Sequence, residues 1–221
     1  MTSDSASITP FAIAAIGLVG VIVGSVISSI GQYLLMSRRI EADIALAKQK
    51  FDFEVKASRF KRKHELAEEA LVGFYEFKDI MREIRSPISF GGEGGTRPRA
   101  AGELEDVSKA KDTYFVLLER LEKHRGNLAK IFGREYLIAA WFGSEAAAPF
   151  QELNRVLSES SAAAMTLVGI AEAQNHDPEL VRNLQAKIWW TDLDNDPMIA
   201  RLNNSVARME AIFRPVLSEQ P

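Results

Sequence analysis

Residues 11–36 read FAIAAIGLVGVIVGSVISSIGQYLLM, and no charged residue stands between Asp4 and Arg38. A helix of that length rises roughly 39 Å, against roughly 30 Å of bilayer hydrocarbon. The stretch is therefore read as a transmembrane helix with some tilt or a protruding end. Thr9 and Pro10 supply a cap and a first helical position ahead of it. A cleaved signal peptide would carry a positive n-region, and the tail before the stretch has neither Lys nor Arg.

Charge gives the expected orientation. The chain of 221 residues has a net charge of -3, which disfavours a nucleic-acid binder overall, but the charge is unevenly placed. Arg38, Arg39, Lys48 and Lys50 follow the span closely and no base precedes it. Excess Lys and Arg mark the cytoplasmic side, so the N-terminus is expected outside and the C-terminal part in the cytosol. The absence of cysteine rules out a disulfide framework and fits a reducing compartment.

Within the span, Gly17, Gly20, Gly24, Ser28 and Gly31 fall on one stripe about 80° wide at 3.6 residues per turn. Small residues let helix backbones approach closely in lipid, so this stripe is the expected site of self-association. With one span per chain, the partner helix belongs to another chain.

After Met36 no helix breaker occurs until Ser86 and Pro87, and a basic helical stalk is expected over residues 37–65. Ile40, Ile44, Ala47, Phe51 and Val55 make a seam that suits a coiled coil. Arg59, Lys61, Arg62 and Lys63 form the densest basic patch, which invites an anionic-lipid or nucleic-acid reading. On a straight helix Arg59 would stand roughly 35 Å beyond Met36, far outside a Debye length of about 8 Å. The bases also surround the helix instead of sharing a face, so a solvated stalk is the favoured reading and no nucleic acid is expected.

From residue 66 onward four segments keep one apolar stripe each. They run through Ala70, Phe74, Phe77, Met81 and Ile84; through Tyr114, Leu117, Leu121, His124, Leu128 and Ile131; through Phe150, Leu153, Leu157, Ser160, Ala164 and Leu167; and through Ile199, Leu202, Val206, Met209, Phe213 and Val216. Asp177 before Pro178 and Asp196 before Pro197 have the chemistry of N-caps, Ser144 is a candidate cap before Glu145, and Leu180 to Ile188 make a short extra helix. The expected fold is all-α: a tail over residues 1–10, a span over 11–36, the stalk, and a cytosolic antiparallel four-helix-bundle-like domain over 66–221 with a loop at 86–104.

Two stretches, EALVGFYEFKDIMREIRSPISFGGEGGTR from Glu69 to Arg97 and IWWTDLDNDPMIARLNNSVARMEAIFRPVL from Ile188 to Leu217, resemble uncharacterised bacterial membrane-anchored or soluble helical proteins. The resemblance implies a bacterial inner-membrane setting and carries over no functional residue.

Gly91, Gly92, Gly94 and Gly95 precede Arg97 and Arg99, but a phosphate-binding loop needs Lys and Ser or Thr opening a helix, and Thr96, Arg97 and Pro98 follow here. A flexible connection is favoured, with Arg97 and Arg99 kept as a candidate binding loop. Asp192, Asp194 and Asp196 begin like a calcium loop, yet its sixth position is Pro197 and its twelfth Asn203. His64, His124 and His176 are too scattered for zinc. No catalytic residue, metal or cofactor is expected.

The leading expectation is a membrane-anchored interaction or scaffold module, homo-oligomeric, contacting membrane lipid and a protein partner. A pore-forming or bilayer-perturbing effector with Ser25, Ser28, Ser29 and Gln32 along its path stands second. An enzyme with a site that sequence does not reveal stands third.

Overall fold

The computed structural model describes residues 10–172 and 177–219. The described residues are helical, with no strand among them. Among the described residues six helices follow one another: α1 (Pro10–Ile84), α2 (Glu105–Gly133), α3 (Glu135–Phe142), α4 (Ser144–Ile170), α5 (Pro178–Ile188) and α6 (Pro197–Ser218). The chain divides into two units, the first ending at Arg59 and the second beginning at Phe60.

The first unit is the N-terminal part of α1. Among the described residues, α1 is the one helix long and apolar enough to cross a membrane. Its described apolar side chains over this stretch are exposed: Leu18, Val19, Val21, Val23, Ile27 and Ile30 are 50–72% exposed. The residues that the sequence divides among an expected span, stalk and first bundle segment all fall within α1. It stops where Ser86 precedes Pro87, since the residue before a proline is driven out of the helical region.

The second unit is built around α4. That helix packs against α2, α3, α5 and α6. Its buried face combines large residues, Phe150, Leu153 and Val156, with the small Ser160, Ala163 and Ala164. The small ones admit a close neighbour, and Ser160 Oγ lies 3.9 Å from Met198 Sδ of α6. On α1, burial begins at Leu66 and recurs at Ala70, Phe74, Phe77, Met81 and Ile84, one side of a 3.6-residue repeat. Edge-to-face ring pairs lock the core: Phe74 with Phe150 at 4.8 Å, Phe77 with Phe132 at 5.7 Å, Phe142 with Phe213 at 4.8 Å. Such pairs contribute about 0.5–1.5 kcal/mol each beyond the area they bury.

Local chemistry sets the helix starts. The Asp177 carboxylate accepts from Glu179 N, and Asp196 accepts from Met198 N and Ile199 N. Ser144, expected as a cap, is instead the first residue of α4. Gly143 occupies the cap position at φ 89°, a left-handed conformation that favours glycine. Helix α3, for which the sequence carries no periodic signal, follows α2 after Arg134 alone.

Candidate functional site

Two features of the described residues invite a functional reading: the uncovered faces of α1 and the loop between α1 and α2. In the first unit, a Cβ added at Gly17, Gly20, Gly24 or Gly31 would meet nothing within 4 Å. Ser28 is exposed beside them, and Ser29 Oγ donates back to Ser25 O at 2.8 Å. The small-residue stripe is therefore open along its length. Further along, Ile40, Ile44 and Phe51 are 47–64% exposed, Ala47 is exposed and Val55 half-buried.

The basic patch is partly neutralised by nearby acids. Lys61 and Arg62 lie 3.9 Å and 3.3 Å from Glu65, and Lys63 lies 3.9 Å from Glu219 and 5.9 Å from the centre of the Phe142 ring. Arg59 stays exposed. Three of the four bases thus stand beside two carboxylates, which reduces the charge of the patch without cancelling it.

The loop is clasped by arginines. Arg97, kept from sequence as a ligand-facing candidate, is buried and turned inward. Its Nε donates to Asp112 Oδ1 at 2.8 Å, its two terminal nitrogens reach both Glu103 oxygens, and Nη2 also donates to Ser108 Oγ. Lys111 completes this cluster at 2.8 Å from Glu103 Oε1. The Arg97 and Lys111 cations hold the Glu103 carboxyl down to about 2, and Glu103 in turn raises Arg97. Arg99 is exposed and donates to Asp112 Oδ2 at 2.7 Å. The two candidate arginines thus share one acid.

Sequence reading missed two further arginines. Arg120 of α2 donates to the carbonyls of Glu83, Ser86 and Ile88 and to both oxygens of Glu93, tying the end of α1 to the start of the loop. Arg120 also keeps Glu93 below the ordinary carboxylate range, against the effect of burial. Arg85 is wholly buried, with Nη1 and Nη2 at 2.9 Å and 2.7 Å from the Asp196 oxygens and further bonds to the carbonyls of Lys187, Ala186 and Trp189. Burial pushes the Asp196 carboxyl up, but Arg85 and the amides of Ile199 and Met198 outweigh it and hold the carboxyl low. The signal available in sequence was position: Arg85 follows Ile84 and lies four residues beyond Met81, on the buried side of α1.

Gly94 shows how tightly the loop is seated. Its φ is +82°, and a Cβ there would stand 2.2 Å from Asp112 O, while its N–H donates to Glu119. The connection expected to be flexible is packed onto α2.

The remaining candidates are accounted for by structure. Asp192 accepts from Asp194 N and Asn195 Nδ2, closing its own turn, and Asp196 is engaged as described. His124 Nε2 lies 3.2 Å from Glu83 Oε1; this contact, followed by Lys123, holds Glu83 below its ordinary value despite burial. His64 Nδ1 is 3.2 Å from Phe60 O, and His176 lies outside the described residues. Among the described residues no group of three or more His, Asp or Glu is placed to hold a metal.

Between α2 and α4 an apolar hollow of about 670 Å³ is lined by Leu118, Leu121, Leu128, Leu157, Ala162 and Met165, among others. A second of about 430 Å³ shares Leu118 and Met165 and continues to Phe115 and Val168. Helix α3 exposes Tyr136, Leu137 and Trp141. No family model, curated protein or solved structure matches the chain.

Proposed function

We propose that the chain is a single-pass, membrane-anchored interaction module. In this reading α1 crosses a bacterial inner membrane with its N-terminus outside, self-associates there along its small-residue stripe, and carries a four-helix-bundle-like cytosolic unit that engages a protein partner. The observation that carries the reading is the exposure of α1: the described apolar side chains from Leu18 to Phe51 find no cover within the chain, so lipid and other helices must supply it. Arg38 and Arg39 at the end of the apolar stretch support the orientation.

The bundle is supported by the packing of α2 and α6 on α4 and by the buried stripe that α1 adds from Leu66 to Ile84. The apolar hollows between α2 and α4 offer the partner a surface of the kind that accepts an amphipathic helix. The loop arginines Arg97 and Arg120 are saturated by acids and carbonyls of their own chain, so the loop serves the reading as a structural clasp and the partner surface lies elsewhere.

Cross-linking of the full chain in native membranes, read by mass spectrometry, tests the proposal. It predicts links between copies in α1 and links from Lys130, exposed on α2, to one recurrent second protein. Links confined to single chains would contradict it, and loss of membrane potential on expression would favour the pore-forming alternative.

A further inference from the structure

The first unit of α1 has two distinctive faces, and they point in opposite directions. At about 100° per residue, the residues Gly17, Gly20, Gly24, Ser28 and Gly31 span an arc of about 80°, as do Ile40, Ile44, Ala47, Phe51 and Val55. The centres of the two arcs are about 180° apart. Because Pro10–Ile84 is a single unbroken α-helix, nothing between them resets the phase. Winding at 3.5 residues per turn, as in a left-handed coiled coil, narrows the offset to about 105° and still leaves them on different faces.

The seam has the side chains of a coiled coil on a face that the chain leaves bare. With Ile44 and Phe51 at a positions, Ile40 and Ala47 fall at d, and all four are exposed. The same register runs back through Tyr33, Ile30, Val23 and Val19, each at least half exposed. The flanking positions identify the occupant. Asp43 falls at g and Lys48 at the following e, and in a parallel, in-register pair a g residue meets the e residue five places on in its neighbour. Asp43 of one copy then faces Lys48 of the other, and the symmetry repeats the contact. Both residues are exposed, whereas Lys50, the next g residue, lies 4.0 Å from Glu54 in its own chain. A shared membrane anchor gives two copies the parallel direction that this pairing requires.

We propose that residues 40–51 pair in parallel register with a second copy of this chain, through Ile40, Ile44, Ala47 and Phe51 flanked by Asp43–Lys48 contacts between copies. The proposal rests on the reading of α1 as the anchor of a self-associating module, and it specifies the partner and the face. The copy held on the seam is not the copy that the small-residue stripe would hold. Two-fold contacts on two faces, with both axes along the membrane normal, build a row of chains and not a closed pair.

The native chain has no cysteine, so single substitutions in the full-length protein report one position each. Oxidation in native membranes should give disulfide dimers of Ile44→Cys and Ala47→Cys, and none of Ala42→Cys on the far side of the stalk. Asp43→Lys should lower the Ile44→Cys dimer yield about threefold, from the loss of two exposed pairs, and adding Lys48→Asp should restore it. Equal cross-linking at Ala42, no cross-linking at Ile44 and Ala47, or no recovery in the charge-swapped variant would overturn the pairing. Ser28→Cys dimers without Ile44→Cys dimers would sink the seam while sparing self-association through the span; the reverse would sink the stripe and spare the seam. The double variant Ser28→Cys, Ile44→Cys should give a ladder beyond dimer, and a product that stops at dimer would show that both faces hold one neighbour.

Discussion

At Asp196 one carboxylate does two jobs: it accepts the first free amides of α6 and it neutralises Arg85, a guanidinium with no access to water. Removing it leaves a buried cation without its counter-charge, which costs far more than a surface pair would. Asp196→Ala is expected to destabilise the second unit by about 3–5 kcal/mol in urea unfolding of the full chain in detergent, whereas Asp177→Ala, an exposed cap, should cost about 1 kcal/mol. Glycines divide the same way. Gly94→Ala meets both a positive φ and the Asp112 carbonyl and should destabilise by at least about 1–3 kcal/mol, while Gly126→Ala, in an open stretch of α2, should stabilise by about 0.5–1 kcal/mol. Thermal melts of the two variants should move in opposite directions. Glu103, held to about 2 from an ordinary 4.5 by Arg97 and Lys111, gives the loop a pH dependence. A depressed carboxyl stabilises above its unfolded value, so the clasp is intact at neutral pH and is lost as pH falls from about 4.5 to about 2. Amide exchange across residues 91–104 should therefore quicken over that window. Glu103→Gln should exchange faster already at pH 7 and respond less to acid.

At the scale of elements, the features that sequence makes legible are local ones. Asp177 with Pro178 and Asp196 with Pro197 mark the starts of α5 and α6 because a cap and its amides are neighbours in the chain. The stop at Ser86 and Pro87 was equally visible. Helix α3 was not, since eight residues between Arg134 and Gly143 hold too few turns to show a period. The loop was misjudged for a different reason. Its glycines and prolines read as freedom, but its order comes from Arg120 reaching back to Ser86 and Ile88 and from Arg97 reaching forward to Glu103 and Asp112. Arg85 and Asp196 are likewise far apart in sequence, and no local pattern announces such a pair. Between α4 and α6, Arg201 donates to Glu159 and Glu152 while half-exposed, and the nearby guanidinium holds Glu159 below its ordinary value. Arg201→Met should cost only about 1 kcal/mol in the same unfolding assay, because solvent screens this network as it does not screen Arg85.

The whole molecule combines a helix whose described apolar side chains from Leu18 to Phe51 are exposed with a second unit whose core is closed around α4. On the proposed reading, association in the membrane belongs to the first unit, and the packed core that carries stability to the second. Substitutions on the exposed face of the stalk should leave the unfolding of the second unit unchanged while altering association in the membrane, whereas core changes such as Phe150→Ala should cost about 3–5 kcal/mol in unfolding. The central claim is that α1 anchors this unit to the inner face of a membrane. Labelling with a membrane-impermeant maleimide addresses it directly, because the native chain offers no competing thiol. A Ser5→Cys variant should label in intact cells, and a Ser218→Cys variant only after the membrane is opened. Labelling of Ser218→Cys in intact cells, or exclusion of both positions until lysis, would contradict the account.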